Sequence, residues 1–239
     1  YRTAVIACGI IGRVHARGWL GVDGQPTEIG ALADTNPDAQ KEYGDFFEVG
    51  EEHRYGDYRE MLDKEQPDFV DVCSWHQMHA EMVIAAAARR PKAILCQKPM
   101  AVDLREADDM LTACARNNVK LIIAFQRPHH AVWLRARELV REGVIGKISQ
   151  VQMACGGNLL NTNSHNIRLA LFMMDEPEVE WVVGAVERTT ELVERGLPAE
   201  DACMGVAGCA NGANILIMGN LVGGLGQGCR IIGSEGIME

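Results

Sequence analysis

The chain has 239 residues, 47% hydrophobic and 23% charged, with a formal net charge of −10. That length is enough to bury a full core in one or two domains. The acidic balance is unbroken by any Lys/Arg cluster, which argues against nucleic acid and anionic membrane surfaces as partners. No apolar run reaches the length of a membrane span, and no basic-then-apolar start reads as a signal peptide.

The eight cysteines form no Cys-x-x-Cys pair, and three sit in or at the end of apolar strand-like runs. They read as reduced, buried thiols of a cytoplasmic protein. No metal site is expected, since His129-His130 is the one tight histidine pair.

The first half alternates two patterns. Short apolar runs at 3–8, 28–33, 69–73, 93–96 and 120–125 read as buried parallel strands. Helical patterns lie between them at 12–20, 37–43, 58–64, 79–88 and 104–117, the last with Asp103 as N-cap. This alternation predicts a Rossmann-type, doubly wound parallel sheet over residues 1–125.

The pattern changes after Arg127-Pro128. A helix is expected at 131–141, a strand at 148–154, a Gly-Gly-Asn loop, a helix at 166–174, and strands at 179–186, 201–210, 214–218 and 228–232. Residues 126–239 are therefore expected to form an α+β domain with an open, mostly antiparallel sheet. The glycine-rich stretch 205–228 reads as strands with bulges and turns. Both faces of 215–218 are apolar, so a partner subunit covering that sheet is expected, as a homodimer or homotetramer.

The most informative local motif is Ala7-Cys8-Gly9-Ile10-Ile11-Gly12, between a strand and a helix. A dinucleotide pyrophosphate needs bare backbone N–H groups at a helix N-terminus. Gly9 lets the backbone approach the phosphates, with Ile10 and Ile11 opening the helix. Gly12 lets the helix pack on the strand. Ala7 stands where such turns usually have a first glycine, so its φ is expected to stay negative. Asp34 ends the second strand, where a carboxylate accepts hydrogen bonds from the adenine ribose and repels a 2′-phosphate. NAD is thus favoured over NADP. Asp34-Thr35-Asn36-Pro37 also reads as a helix start, and the two roles are compatible.

With Gly9, Gly12, His15, Ser74, His79, Cys96-Gln97-Lys98-Pro99, Phe125-Gln126-Arg127, Gly146-Lys147-Ile148 and the 159–165 stretch in this order, the chain resembles the glucose–fructose oxidoreductase/inositol dehydrogenase/MocA family. The resemblance implies an NAD(P)-dependent oxidoreductase acting on a secondary alcohol or ketone of a polyhydroxylated small molecule. It matches Lys98 to the lysine of the family's Glu-Lys-Pro motif, and Asn161 and His165 to its Asp-x-x-x-His motif. Alcohol oxidation needs a base near neutrality, which suits His165, and a cation for developing alkoxide charge, which suits Lys98.

Lys98, Asn161 and His165 are thus the candidate catalytic and substrate-binding residues. Arg127 reads either as a substrate or cofactor contact or as the partner of an acid at the domain junction. Ser74, Trp75, His76, His79, Gln97, Lys98 and Gln126 are expected along the cofactor. Asn158, Asn163 and Asn166 cluster with Asn161 in a way that suits hydroxyl recognition.

Two departures from the family pattern stand out: Gln97 and Asn161 replace its usual acids. They keep open a second reading, a non-redox relative such as a sugar-sensing regulator or an NAD-assisted glycosidase. Chains of this family usually continue well past the 231–236 turn. The final strand is therefore expected near an open sheet edge, with Ile231 and Ile237 poorly covered.

Overall fold

The computed structural model describes residues 1–221 and 228–239. The chain divides into two compact units, Tyr1–Ala124 and Phe125–Glu239.

The first unit is built on one six-stranded sheet. Its strands are β1 (Arg2–Ile6), β2 (Glu28–Ala33), β3 (Arg54–Tyr55), β4 (Phe69–Val72), β5 (Ala93–Gln97) and β6 (Lys120–Ala124). They pair in the order β3-β2-β1-β4-β5-β6, all parallel. Helices connect them: α1 (Ile10–Leu20), α2 (Pro37–Phe46), α3 (Tyr58–Glu65), α4 (His79–Ala88) and α5 (Leu104–Asn117). Successive strand residues alternate between two cores, as a period of two requires. Ala4, Ile6, Val70, Val72 and Ile94 pack with Met110 of α5. Val5 and Leu32 face the other way, onto Ala16 of α1 and Tyr43 of α2.

Helix starts follow capping chemistry. The Asp103 carboxylate accepts from Glu106 N at 2.8 Å and opens α5. Asn36 caps α2, with Pro37 in the first turn, so the helix-start role near Asp34 falls to Asn36.

The order of strands reverses between β1 and β4, and the carboxyl ends there are where such sheets bind ligands. Gly12 must be a glycine at that place, because a Cβ on it would lie 2.5 Å from the Ala7 carbonyl oxygen. One backbone expectation is overturned. Ala7 does not keep a negative φ; it sits in the left-handed region at φ 75°. The pairing around it dictates this: Ala7 N is held by Ala33 O at 2.8 Å, while the next amide, Cys8 N, must turn to reach Asp34 Oδ2 at 2.8 Å. A side chain in that region costs about 1–2 kcal/mol relative to glycine.

The second unit holds α6 (Ala131–Arg141), α7 (Ser164–Met173) and a six-stranded sheet of order β14-β13-β7-β12-β11-β8. Its strands are β7 (Ile148–Cys155), β8 (Val179–Glu187), β11 (Ala202–Cys209), β12 (Asn214–Gly219), β13 (Gly228–Gly233) and β14 (Ile237–Met238). A separate two-stranded hairpin, β9 (Val193–Glu194) with β10 (Leu197–Pro198), lies between β8 and β11 in sequence. All neighbours in the large sheet are antiparallel except β12 and β7. Its core joins Val151 and Met153 to Leu169, Ala170 and Met173 of α7.

Ile231, expected to be poorly covered, is only 1% exposed, because β13 lies inside the sheet between β14 and β7. Ile237, on the edge strand β14, is 58% exposed. The bulge expected in the glycine-rich stretch is present between Gly208 and Cys209. Residues 222–227 of that stretch lie outside the described residues. No helix among the described residues is long and apolar enough to cross a membrane.

Ala7→Gly relieves the left-handed strain but gives the unfolded chain more freedom. The expected net gain is about 0.5–1 kcal/mol in urea-denaturation stability. A loss of stability would show that the methyl group, rather than the turn, is what matters at this position.

Candidate active site

At the switch point of the first sheet, the strand ends line a cavity of ≈ 480 Å³, within the range of about 300–1,000 Å³ typical of small-molecule sites. Ala7, Gly9, Asp34, Ser74, Trp75 and Met78 are among its lining residues. Gly9 N-caps α1, and a Cβ on it would meet nothing within 4 Å. Ile10 beside it is 86% exposed. An open helix N-terminus flanked by a bare glycine is what a pyrophosphate requires. The two nearest thiols do not oppose an anion. Burial, then the Asp34 charge, pushes Cys8 up to about 12. Burial likewise raises Cys73, so both stay protonated.

Asp34 is fixed in place by the backbone on both sides. Its Oδ2 accepts from Cys8 N at 2.8 Å and its Oδ1 from Asn36 N at 2.9 Å. A carboxylate has about four acceptor sites, so capacity for a diol remains. Trp75 is 59% exposed and lines the cavity with Ser74.

The structure gives one expected cofactor contact, His79, other work and buries another, His76. His79 is wholly buried, with Nδ1 2.9 Å from Pro99 O and Nε2 3.0 Å from Ser74 O. It ties the loop after β4 to the loop after β5. His76 is 3% exposed and is not among the cavity-lining residues, whereas Gln77 and Met78, which the sequence reading passed over, are. These three residues form a 3-10 turn, His76–Met78, of which His76 is the buried member.

Lys98 follows β5 directly, at the carboxyl end of the strand. Its backbone N–H donates to Gln97 Oε1 at 2.6 Å. That contact identifies the oxygen of the Gln97 amide, so Nε2 is the atom 3.3 Å from His15 Nε2. An NH₂ group can only donate, so His15 Nε2 is the acceptor and the ring proton sits on Nδ1. Nδ1–H donates to Asp71 at 3.0 Å. Asp71 has no exposed surface and also accepts from Trp19 Nε1 at 2.8 Å and from the Cys73 thiol at 3.3 Å.

The ligating atoms of His15, Asp71 and Cys73 lie within 4.8 Å of one another. The proton assignments make this trio a hydrogen-bonded brace between α1 and β4. Gln97 thus orients both Lys98 and His15, which glutamate could not do in the same way.

In the second unit, α7 begins earlier than the sequence suggests. A π-helical turn, Leu159–Asn163, runs directly into it, and Asn158 caps that turn. Asn158 Oδ1 accepts from Asn161 N at 2.9 Å. An asparagine three positions before the amide it accepts from is a capping spacing that could have been read from sequence.

Asn161 and His165 are one turn apart on this continuous helical run and are both buried, at 9% and 6%. Phe125 packs edge-on against the His165 ring at 5.7 Å. Glu194 of the β9–β10 hairpin accepts hydrogen bonds from the side-chain amides of both Asn158 and Asn161. Glu200 accepts from Leu159 N. Sequence reasoning missed both acids. The Arg195-Gly196 turn, with φ of 50° and 82°, was the available signal for the hairpin that carries the first.

The other asparagines are internal. Asn166 donates to Cys155 Sγ at 2.9 Å and to Asn163 Oδ1 at 3.1 Å. Asn163 donates to the carbonyls of Gly157 and Asn158. They build the turn rather than present amides to a ligand. Arg127 donates to Asn166 Oδ1 at 2.7 Å, so its partner is an amide and not an acid. Gln126 is exposed at the start of the second unit.

Replacing Gln97 by glutamate removes the donor facing His15 Nε2 and supplies an acceptor. The expected outcome is a second proton on His15 near neutral pH, seen as an imidazolium pattern in ¹⁵N NMR. An unchanged Nδ1–H tautomer would contradict the assignment above.

The family model of oxidoreductases with an NAD-binding Rossmann fold matches residues 1–125. D-apiose dehydrogenase of Paraburkholderia graminis is 37% identical over 147 residues, covering 61% of this chain and 38% of that protein. Myo-inositol 2-dehydrogenase of Thermotoga maritima is 29% identical over 195 residues, covering 76% and 57%. The matched region therefore spans roughly 40–60% of these relatives' own length, at 38% and 57%. The crystal structure of a probable dehydrogenase from Thermotoga maritima superposes with a TM-score of 0.82 at 26% identity, over 100% of this chain and 74% of that one. The chain belongs to the glucose–fructose oxidoreductase/inositol dehydrogenase/MocA family of oxidoreductases.

Proposed function

We propose that the chain carries the cofactor-binding and catalytic residues of an NAD-dependent dehydrogenase that oxidises a secondary alcohol of a sugar or cyclitol, or reduces the corresponding ketone. The observation that carries this reading is the bare N-terminus of α1 opening on the cavity, with Asp34 fixed beside it. NAD in that cavity supplies a hydride acceptor for the alcohol carbon.

Residues 1–124 are the dinucleotide-binding part in this reading, and residues 125–239 the substrate-binding part. Gly9, Ile10, Ile11 and Gly12 hold the pyrophosphate through backbone N–H groups. Asp34 accepts from the adenine ribose and repels a 2′-phosphate. His165 takes the proton that leaves the hydroxyl oxygen as hydride leaves the carbon. The Lys98 ammonium stabilises the developing alkoxide and keeps its own proton. Arg127, held by Asn166, offers its remaining N–H donors to substrate oxygens.

The relatives named above act on D-apiose and myo-inositol according to their names, which supports a polyhydroxylated substrate. They do not support the non-redox reading. The eight free cysteines, seven of them buried, favour a reducing compartment such as the cytoplasm.

Self-association through the second sheet belongs to the same reading. All nine residues of β8 are exposed, Val182 and Val183 at 72% and 62%. Sedimentation velocity is expected to show a dimer or tetramer that Val183→Lys weakens. A wild-type monomer at micromolar concentration would end this part of the reading.

The main test is nicotinamide absorbance across a panel of sugars and cyclitols that includes D-apiose and myo-inositol. NAD is expected to bind more tightly than NADP. Asp34→Asn removes the charge and should narrow that preference by roughly tenfold, a difference of about 1.4 kcal/mol. Lys98→Met is expected to lower turnover roughly 100- to 1,000-fold with NAD affinity unchanged. Loss of both together would make Lys98 structural.

A further inference from the structure

We propose that Glu194 is the positioning acid for His165, acting through the amide of Asn161. This rests on the reading of His165 as the proton acceptor. In the family pattern an aspartate at position 161 would sit one turn before the histidine and favour its protonated form. Here that position is neutral, but the charge has not left the site. The Glu194 carboxylate, on β9, takes one hydrogen bond from the Asn161 side chain and one from the Asn158 side chain.

The orientation of both amides follows from these contacts. An ionised carboxylate only accepts, so the atoms facing it are the NH₂ groups. For Asn158 a second contact agrees, since its oxygen accepts from Asn161 N. The carbonyl oxygen of the Asn161 side chain is therefore the end turned away from Glu194. A hydrogen bond to a carboxylate polarises an amide and makes its oxygen a stronger acceptor. Negative potential is thus passed from Glu194 to the Asn161 oxygen, on the helical run that presents His165 one turn later.

The pairing also explains why residue 161 is an asparagine. An aspartate there would put two carboxylates within hydrogen-bond distance, and one of them would have to hold a proton. Asparagine at 161 and glutamate at 194 are a matched pair that moves one charge outward by the length of an amide.

Among the described residues, other charged and titratable groups at this turn are engaged elsewhere. Glu200 holds Leu159 N at the start of the turn. Arg127 is engaged by Asn166. The thiols of Cys155 and Cys203 are raised by burial and stay neutral. Glu194 is the acid whose oxygens meet the Asn161 side chain directly.

The test uses the whole chain with ¹⁵N-labelled histidine and follows the His165 titration by NMR, assigned with a His165→Gln control. Glu194→Gln is expected to lower the midpoint by about half a unit to one unit. The double variant Asn161→Asp/Glu194→Gln, which returns the charge to the helix, is expected to restore it. Asn161→Asp alone, where two carboxyls share one proton, should leave it within about 0.3 unit.

An unchanged midpoint in Glu194→Gln, or no recovery in the double variant, overturns the proposal. Glu194→Asp, which keeps the charge, should retain a midpoint above that of Glu194→Gln, and equality of the two also overturns it. On a polyol that the wild type oxidises, the acid limb of kcat/KM should move with the midpoint. If no polyol is oxidised, the dehydrogenase reading fails, and the titration still decides whether Glu194 acts on His165.

Discussion

A buried carboxylate organises the carboxyl end of the first sheet. Asp71 lies in the middle strand with no exposed surface, and an uncompensated charge there would cost several kcal/mol. Its compensation comes from three directions: the indole of Trp19, the imidazole of His15 and the thiol of Cys73. Two of these donors belong to α1, whose N-terminus faces the cavity. The same imidazole meets Gln97, and Gln97 meets the backbone of Lys98. One charge therefore fixes the helix that would receive phosphates, the tautomer of a histidine and the setting of the lysine. Few of these groups could be changed alone without leaving a buried donor or acceptor unpaired.

The second unit solves a similar problem with amides instead of a charge. The turn that leads into α7 opens its first N–H groups to the interior, and helix starts leave such donors unsatisfied. Asn158, Asn163 and Asn166 supply acceptors and donors to one another, to Cys155 and to nearby carbonyls. Glu194 and Glu200 close the remaining positions from outside. Asn163, in the middle, has no exposed surface. Such a network specifies one geometry, because any rotated amide would set donor against donor.

Features that depend on neighbours in the chain were legible from sequence. The strand–glycine–helix turn, the cap at Asp103 and the alternation that gives the parallel sheet all leave local signals. Ala7 shows where that stops: its φ follows from bonds to Ala33 and from the turn of the next amide to Asp34, partners 26 residues away. The asparagines of 158–166 read as a surface for hydroxyl groups, since composition does not reveal which way an amide points. His79 read as a cofactor contact from the family resemblance, whereas both its ring nitrogens face carbonyls. Glu194 left no signal near Asn161, being 33 residues further along the chain.

The placement of an acid on a two-residue strand, rather than on the helix that carries the histidine, has an evolutionary consequence. Residues 161 and 194 cannot drift independently. A single change at 161 to aspartate crowds two acids together, and a single change at 194 to an amide takes the acid away from the Asn161 side chain. Any lineage moving between this arrangement and the one with aspartate on the helix must cross one of those two intermediates. The hairpin is therefore tied to the helix by one shared charge, and the effect of a substitution at either position depends on the residue at the other.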